Sequence, residues 1–225
     1  SGIAYRNIYT VSPTQSLYDD LLDDEDIATA QAWEQKTVQI PDVHNSIKTF
    51  AYGDTSDPLL VFQDINPNKT RFSDGTFGVW YGSNEEITSL IETYYWIYKE
   101  VQPDLINAGK GKIRKHRRML LADLDHGRTI DLTLYHDHFP DLTHSKNYDL
   151  CNRMGRFARD QSIGLFRTPS ARKDGGICVP VFSEDAIQSD CFQYDYYLTF
   201  ELNSAVITIE KRGVIEFFEI PEKWG

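Results

Sequence analysis

A strand-to-helix unit between Thr70 and Tyr98 constrains the fold of this chain more than any other stretch. It reads TRFSDGTFGVWYGSNEEITSLIETYYWIY. Ile87, Leu90, Ile91, Tyr94, Ile97 and Tyr98 recur at helical spacing and form one apolar stripe. Such a stripe has to be buried against another layer, so the helix needs a partner sheet. Phe77–Tyr81 reads as a short aromatic strand leading into it. Ser83 or Asn84 is the cap, and Glu86 stands where a capping-box glutamate would be if Ser83 is the cap. Glu92 lies off the apolar stripe. Periodicity leaves two readings of it open, an exposed carboxylate or one aimed into a cleft.

Strand patterns supply the partner layer. Ile3–Thr10, Ile47–Tyr52, Leu59–Ile65, Gly164–Phe166 and Ile177–Phe182 read as strands, as do Tyr194–Leu202, Ala205–Glu210 and Val214–Ile220. The last two are expected to pair across Lys211-Arg212-Gly213. Met119–Asp125 and Thr129–Leu134 read as a hairpin across His126-Gly127-Arg128. Helices are expected from Ser12-Pro13 through the acidic segment 14–35 and over Tyr148–Gln161, and Gln102–Lys112 reads as a linker. At 225 residues the chain is expected to be one α+β domain over 1–225, with mostly antiparallel sheets flanked by helices. Its core spans about 3–186, and 187–225 reads as a β-rich extension.

The net charge of −11 argues against direct nucleic-acid binding, because phosphates repel an acidic surface. Lys110, Lys112, Arg114, Lys115, His116, Arg117 and Arg118 are a basic exception. They read as a solvated turn and strand edge, or as a contact for an acidic partner or a ligand phosphate. No apolar run reaches the length of a membrane span, and no secretory leader opens the chain. Ser1-Gly2 in place of Met reads as a cleavage remnant. Cys151, Cys178 and Cys191 lack a CxxC spacing and fit reduced thiols in a cytoplasmic setting.

Motifs for other chemistries are incomplete. His136, His138 and His144 have no partner spacing that completes a zinc site, and the aspartates between 19 and 26 lack the EF-hand pattern, so no metal is expected. Gly109-Lys110-Gly111-Lys112 is not a P-loop. Ser170 follows a proline but stands in no G-x-S-x-G elbow, which leaves a turn serine or a ligand-binding hydroxyl. Arg6 in YRNIY reads as a surface charge or as an anion-binding guanidinium.

Three segments in order resemble the RES-domain family, the toxins of RES–Xre toxin–antitoxin pairs. They are YRNIY, RFSDGTFGVWYGSNEEITSLIE and GLFRTPSARKDGGICVPVFSEDAI. The resemblance implies an ADP-ribosyltransferase-like fold and consumption of NAD as substrate, with no cofactor. By position it assigns Arg6 and Arg71 to the family's two arginines, Tyr81 to its tyrosine, Glu92 to its glutamate and Ser170 to its serine. Gly82-Ser83 departs from the Leu-Ala that follows the tyrosine in many members.

The implied chemistry suits these residue types. Cleaving the nicotinamide–ribose bond passes through an oxocarbenium-like state, which a carboxylate such as Glu92 stabilises. Arg6 and Arg71 would hold the pyrophosphate, Tyr81 would cover the nicotinamide ring, and Ser170 would hydrogen-bond the nicotinamide or its ribose. The expectation is an NAD glycohydrolase or NAD phosphorylase of toxin type, neutralised by a small helical Xre-like antitoxin. A protein ADP-ribosyltransferase is the alternative. The glutamate that often marks that activity two residues before the catalytic one is here Leu90. A non-enzymatic β-rich binding module is a further alternative, and self-association stays open.

Overall fold

A computed structural model describes residues 2–9, 60–63, 69–107, 111–125 and 127–224. Among these, nine strands form one sheet: β1 (Gly2–Tyr9), β2 (Trp80–Ser83), β3 (Lys112–Leu124), β4 (Thr129–Asp131), β5 (Leu165–Pro169), β6 (Ile177–Val181), β7 (Ile187–Glu201), β8 (Val206–Lys211) and β9 (Val214–Glu219). Their spatial order is β4-β5-β6-β2-β1-β3-β7-β8-β9. The β4–β5 pairing is parallel, and the pairings of the other neighbours are antiparallel. Two helices, α1 (Glu86–Asn107) and α2 (Asp149–Asp160), complete an α+β single domain. No helix among the described residues is long and apolar enough to cross a membrane.

The pleat decides what each residue faces, because successive side chains along a strand point to opposite sides. On one side α1 lays Tyr94, Ile97, Val101 and Leu105 over Met119, Tyr196, Leu198 and Ile207. On that same side, beyond β1, a second cluster gathers Phe72, Leu142, Phe166 and Phe182 with Cys151 and Ala158 of α2. The opposite side carries Ala4, Trp80, Ala122, Val179 and Val181, with Val61 and Phe62 packed against them. The sheet therefore presents two separately covered halves on its α1 side, and a cleft opens at the seam.

Several expectations differ from this arrangement. Leu60–Gln63 is a turn of helix, not part of a strand over Leu59–Ile65. A short apolar run satisfies either period, and only tertiary contacts decide. The expected strand Phe77–Tyr81 is shifted to Trp80–Ser83, so Ser83 ends a strand and does not cap α1. Glu86 is accordingly not in a capping box. It accepts hydrogen bonds from Tyr194 Oη and Lys211 Nζ, each at 2.6 Å. The helix runs through Pro103 to Asn107, across the first half of the expected linker, because Val101 and Leu105 on either side of the proline are fully buried.

The expected hairpin between Met119–Asp125 and Thr129–Leu134 does not form. β3 pairs with β1 and β7, while β4 crosses to the far edge beside β5. β7 to β9 continue the same sheet and the same core as α1, and β8 and β9 pair as expected. The basic run lies within β3, whose pleat splits it. Lys115 and Arg117 face α1, while Arg114, His116 and Arg118 face away. Arg114 pairs with Glu210 at 2.7 Å, Lys115 with Glu100 at 3.0 Å and Arg118 with Asp195 at 2.8 Å. These contacts spend much of the cluster's charge within the fold. Helix 14–35, strand Ile47–Tyr52 and Lys110 lie outside the described residues.

Candidate active site

The seam between the two covered halves is a cleft of about 440 Å³. Its long wall is α1, which contributes Ser89, Glu92, Thr93, Trp96 and Glu100. This face is offset from the apolar stripe, so Glu92 is aimed into a cleft while Tyr94 and Ile97 pack on the sheet.

Glu92 is held at one oxygen. Ser170 Oγ donates to Oε1 at 2.6 Å, the Ala171 backbone N–H at 3.2 Å and the Cys178 thiol at 3.4 Å. Among the described residues no donor meets Oε2. The loop carrying Ser170 joins β5 to β6 and is folded on itself. Ser170 Oγ accepts from the N–H groups of Arg172 (3.1 Å) and Lys173 (3.0 Å), and Ser170 N–H donates to Gly176 O at 2.8 Å. Gly176 lets this loop close on α1, since a Cβ there would stand 2.9 Å from the Thr88 side chain.

Arg71 enters from the turn before β2. Its Nη2 donates to Pro169 O at 3.0 Å, to Thr168 Oγ1 at 3.4 Å and to Leu142 O. Its buried Nε has no hydrogen-bond partner. The turn itself is clamped from two sides. Tyr81 Oη accepts from Phe72 N–H at 2.9 Å and lies 2.8 Å from Thr70 Oγ1. From α2, Asn152 Nδ2 donates to the carbonyls of Thr70 (2.8 Å), Arg71 (2.9 Å) and Ser73 (3.2 Å). Gly155 allows this approach, because a Cβ there would lie 1.8 Å from Phe72 O.

Electrostatics follow from burial. Burial pushes the Tyr81 phenol well above its usual range, against the opposing pull of Thr70, Phe72 and Arg71, so it remains protonated. Burial and then the Glu92 charge push the Cys178 thiol up as well, which keeps it a donor to Glu92 and not a nucleophile.

The expected residues are thus placed unequally. Arg71, Tyr81 and Glu92 line the cleft. Ser170 lies directly behind Glu92, its hydroxyl committed to that carboxylate. Arg6 is on the opposite face of the sheet. It shares that face with Ala4, its guanidinium stands 5.1 Å from the Trp80 ring centroid, and burial lowers its pKa to about 10, against the charge of Asp190. The next residue, Asn7, faces the cleft instead and accepts from Arg117 Nε through Oδ1 at 3.2 Å.

Among the other cleft residues, Arg172 and Trp96 were not singled out by the sequence reading. Arg172 is buried and stacks on Tyr95 at 3.6 Å, with Nη2 bonded to Ser145 O (3.3 Å) and Tyr148 Oη (3.4 Å). Arg117, a member of the basic run, also lines the cleft. Arg172 directly follows the Pro-Ser-Ala turn, which was the available signal. His136, His138 and His144 are not part of a metal-holding cluster among the described residues. His144 Nδ1 instead accepts from the N–H groups of Lys146 (3.1 Å) and Asn147 (2.8 Å), and among the described residues no acidic, histidine and cysteine group clusters in metal-holding fashion.

A comparison with curated protein sequences returned no match. The family model of the RES domain matches residues 46–202, a stretch that takes in β2 to β7, both helices and the whole cleft except its β1 wall. That is well over half of the 225 residues, and the chain belongs to the RES domain family.

Proposed function

We propose that this protein cleaves the nicotinamide–ribose bond of NAD and passes the ADP-ribosyl group to water or phosphate. The observation that carries this reading is the geometry of Glu92. A carboxylate fixed through one oxygen by Ser170, Ala171 and Cys178 leaves its second oxygen to the cleft, in a wall that also presents a guanidinium. Positive charge grows on the ribose as the bond breaks, and a carboxylate fixed before the reaction stabilises it without reorganising. Arg71 supplies fixed positive charge for the diphosphate. The ring of Tyr81 forms the wall beside it, its hydroxyl occupied with the Arg71 turn. Ser170 acts on Glu92 and not on the substrate.

Membership in the RES domain family supports a toxin role, with a neutralising Xre-like partner that covers the cleft. The test is direct. Purified protein is mixed with NAD, with and without phosphate, and free nicotinamide is followed. Release that disappears in folded Glu92→Ala and Arg71→Ala variants is the expected result. No release at any phosphate concentration would sink the reading.

A further inference from the structure

The cleft contains more recognition than bond cleavage requires. Arg172 is only 7% exposed, and among the described residues no carboxylate pairs with it. Its buried Nε has no hydrogen-bond partner, and the same is true of Arg71 Nε in the same cleft. Buried guanidinium groups are normally matched by anions, and an orphaned N–H costs free energy until something accepts from it. Trp96 poses the converse problem. It stands 51% exposed on the cleft wall, four residues beyond Glu92, or about 6 Å of helix rise. The Arg172 guanidinium stands 5.8 Å from its ring centroid, and Tyr95 packs against it in a T-shaped pair with centroids 5.2 Å apart. A half-exposed indole held beside a cation is a stacking platform for a heteroaromatic ring.

Resting on the reading above, we infer that Arg172 and Trp96 recognise the adenosine diphosphate half of the dinucleotide. Glu92 takes the ribose whose bond breaks, Arg71 and Arg172 take the diphosphate, and Trp96 takes the adenine. The ring at Trp96 is the adenine because the nicotinamide must lie at Glu92. The cleft is therefore built for a dinucleotide and discriminates against nicotinamide mononucleotide.

Two measurements test this. The first is titration of the protein with ADP, followed calorimetrically and by tryptophan fluorescence, which needs no turnover. Wild-type protein is expected to bind ADP, and Trp96→Ala to weaken it about tenfold, the scale of one base–aromatic stack. Arg172→Lys, which keeps the charge but loses the fork and the stack, is expected to weaken it too. The second is the ratio of kcat/KM for nicotinamide release from NAD over that from nicotinamide mononucleotide, expected to fall about tenfold in Trp96→Ala. Trp96 is on the surface, so its variant tests the inference even if Arg172→Lys fails to fold. ADP binding that depends on Trp96 in a protein that releases no nicotinamide would uphold this site while removing the catalytic reading. ADP affinity and substrate ratio both unchanged in Trp96→Ala would overturn the inference, whatever the activity.

Discussion

Ser170 Oγ donates to Glu92 Oε1 at 2.6 Å across 78 residues of sequence. The two side chains come from different halves of the fold, one from the β5–β6 loop and one from α1. Ser170→Ala removes one of three donors on that oxygen and also frees the N–H groups of Arg172 and Lys173. A hydrogen bond to a charged group contributes about 1.5–3 kcal/mol, so kcat for nicotinamide release is expected to fall about 10- to 100-fold. Ser170→Thr keeps the hydroxyl and should recover much of it. A Ser170→Ala variant with normal kcat and a raised KM would mean that the hydroxyl binds substrate and does not position Glu92.

Arg6 and Arg71 separate cleanly. Arg71 lines the cleft, whereas Arg6 lies over Trp80 on the other side of the sheet. Arg6→Met keeps an apolar stem against the indole. It is expected to lower the melting temperature while leaving kcat/KM for NAD within about twofold of wild type. Arg71→Lys loses the planar fork and is expected to lower kcat/KM about 100-fold or more. Equal losses in the two variants, at matched folded fraction, would place Arg6 in substrate binding after all.

The contrast shows what the sequence could and could not disclose. Glu92 stood off the apolar stripe of its own helix, a local signal that left exposure and a cleft equally open, and the resemblance made the assignment. Arg71 and Tyr81 were legible by resemblance, and their neighbourhood in the chain keeps them together. Arg6 sat in the same short motif as Asn7, and only the sheet register decides which of two adjacent residues reaches the cleft. Asn152 and Trp96 gain their meaning from segments far away in sequence, so no local pattern marks them, and Arg172 had only its place after the Pro-Ser-Ala turn as a signal. The missed β3–β4 crossover has the same origin. Gly127 looked like a hairpin turn locally, but the long-range pairings of β3 with β1 and β7 fill both its edges.

Asn152 should matter out of proportion to its position outside the cleft. Its amide serves the carbonyls of Thr70, Arg71 and Ser73 from α2. Asn152→Ala leaves those carbonyls short of a donor and is expected to cost about 2–3 kcal/mol in urea unfolding. Activity should fall as well, because the turn that aims Arg71 is loosened. Gly155→Ala puts a methyl group into Phe72 O, and an overpacked site of this kind costs about 1–3 kcal/mol or more. Unaltered stability in both variants would show that α2 does not brace the turn.

His116 supplies a pH dependence on the face of the sheet turned away from α1. It is 5% exposed and stacks on Tyr197 at 4.7 Å, with Asp195 Oδ2 3.7 Å from Nε2. Burial lowers its pKa below the ordinary histidine value. Asp195 opposes that shift, and Arg118 and Arg114 add to it. The imidazole is therefore neutral at pH 7, and its contact with Asp195 is not an ion pair between full charges. In the unfolded chain the same group titrates at about 6.5. Between the two values the unfolded state binds the extra proton, so folding stability rises with pH there. The contribution is fully present above about 6.5 and is lost as pH falls toward the folded value. Urea midpoints measured from pH 7.5 down to 5 are expected to fall for wild type. They should fall less steeply for His116→Phe, which keeps the stack on Tyr197 without a titrating group. Parallel slopes in the two proteins would assign the acid sensitivity elsewhere, and a steeper slope in the variant would reverse the sign argued here.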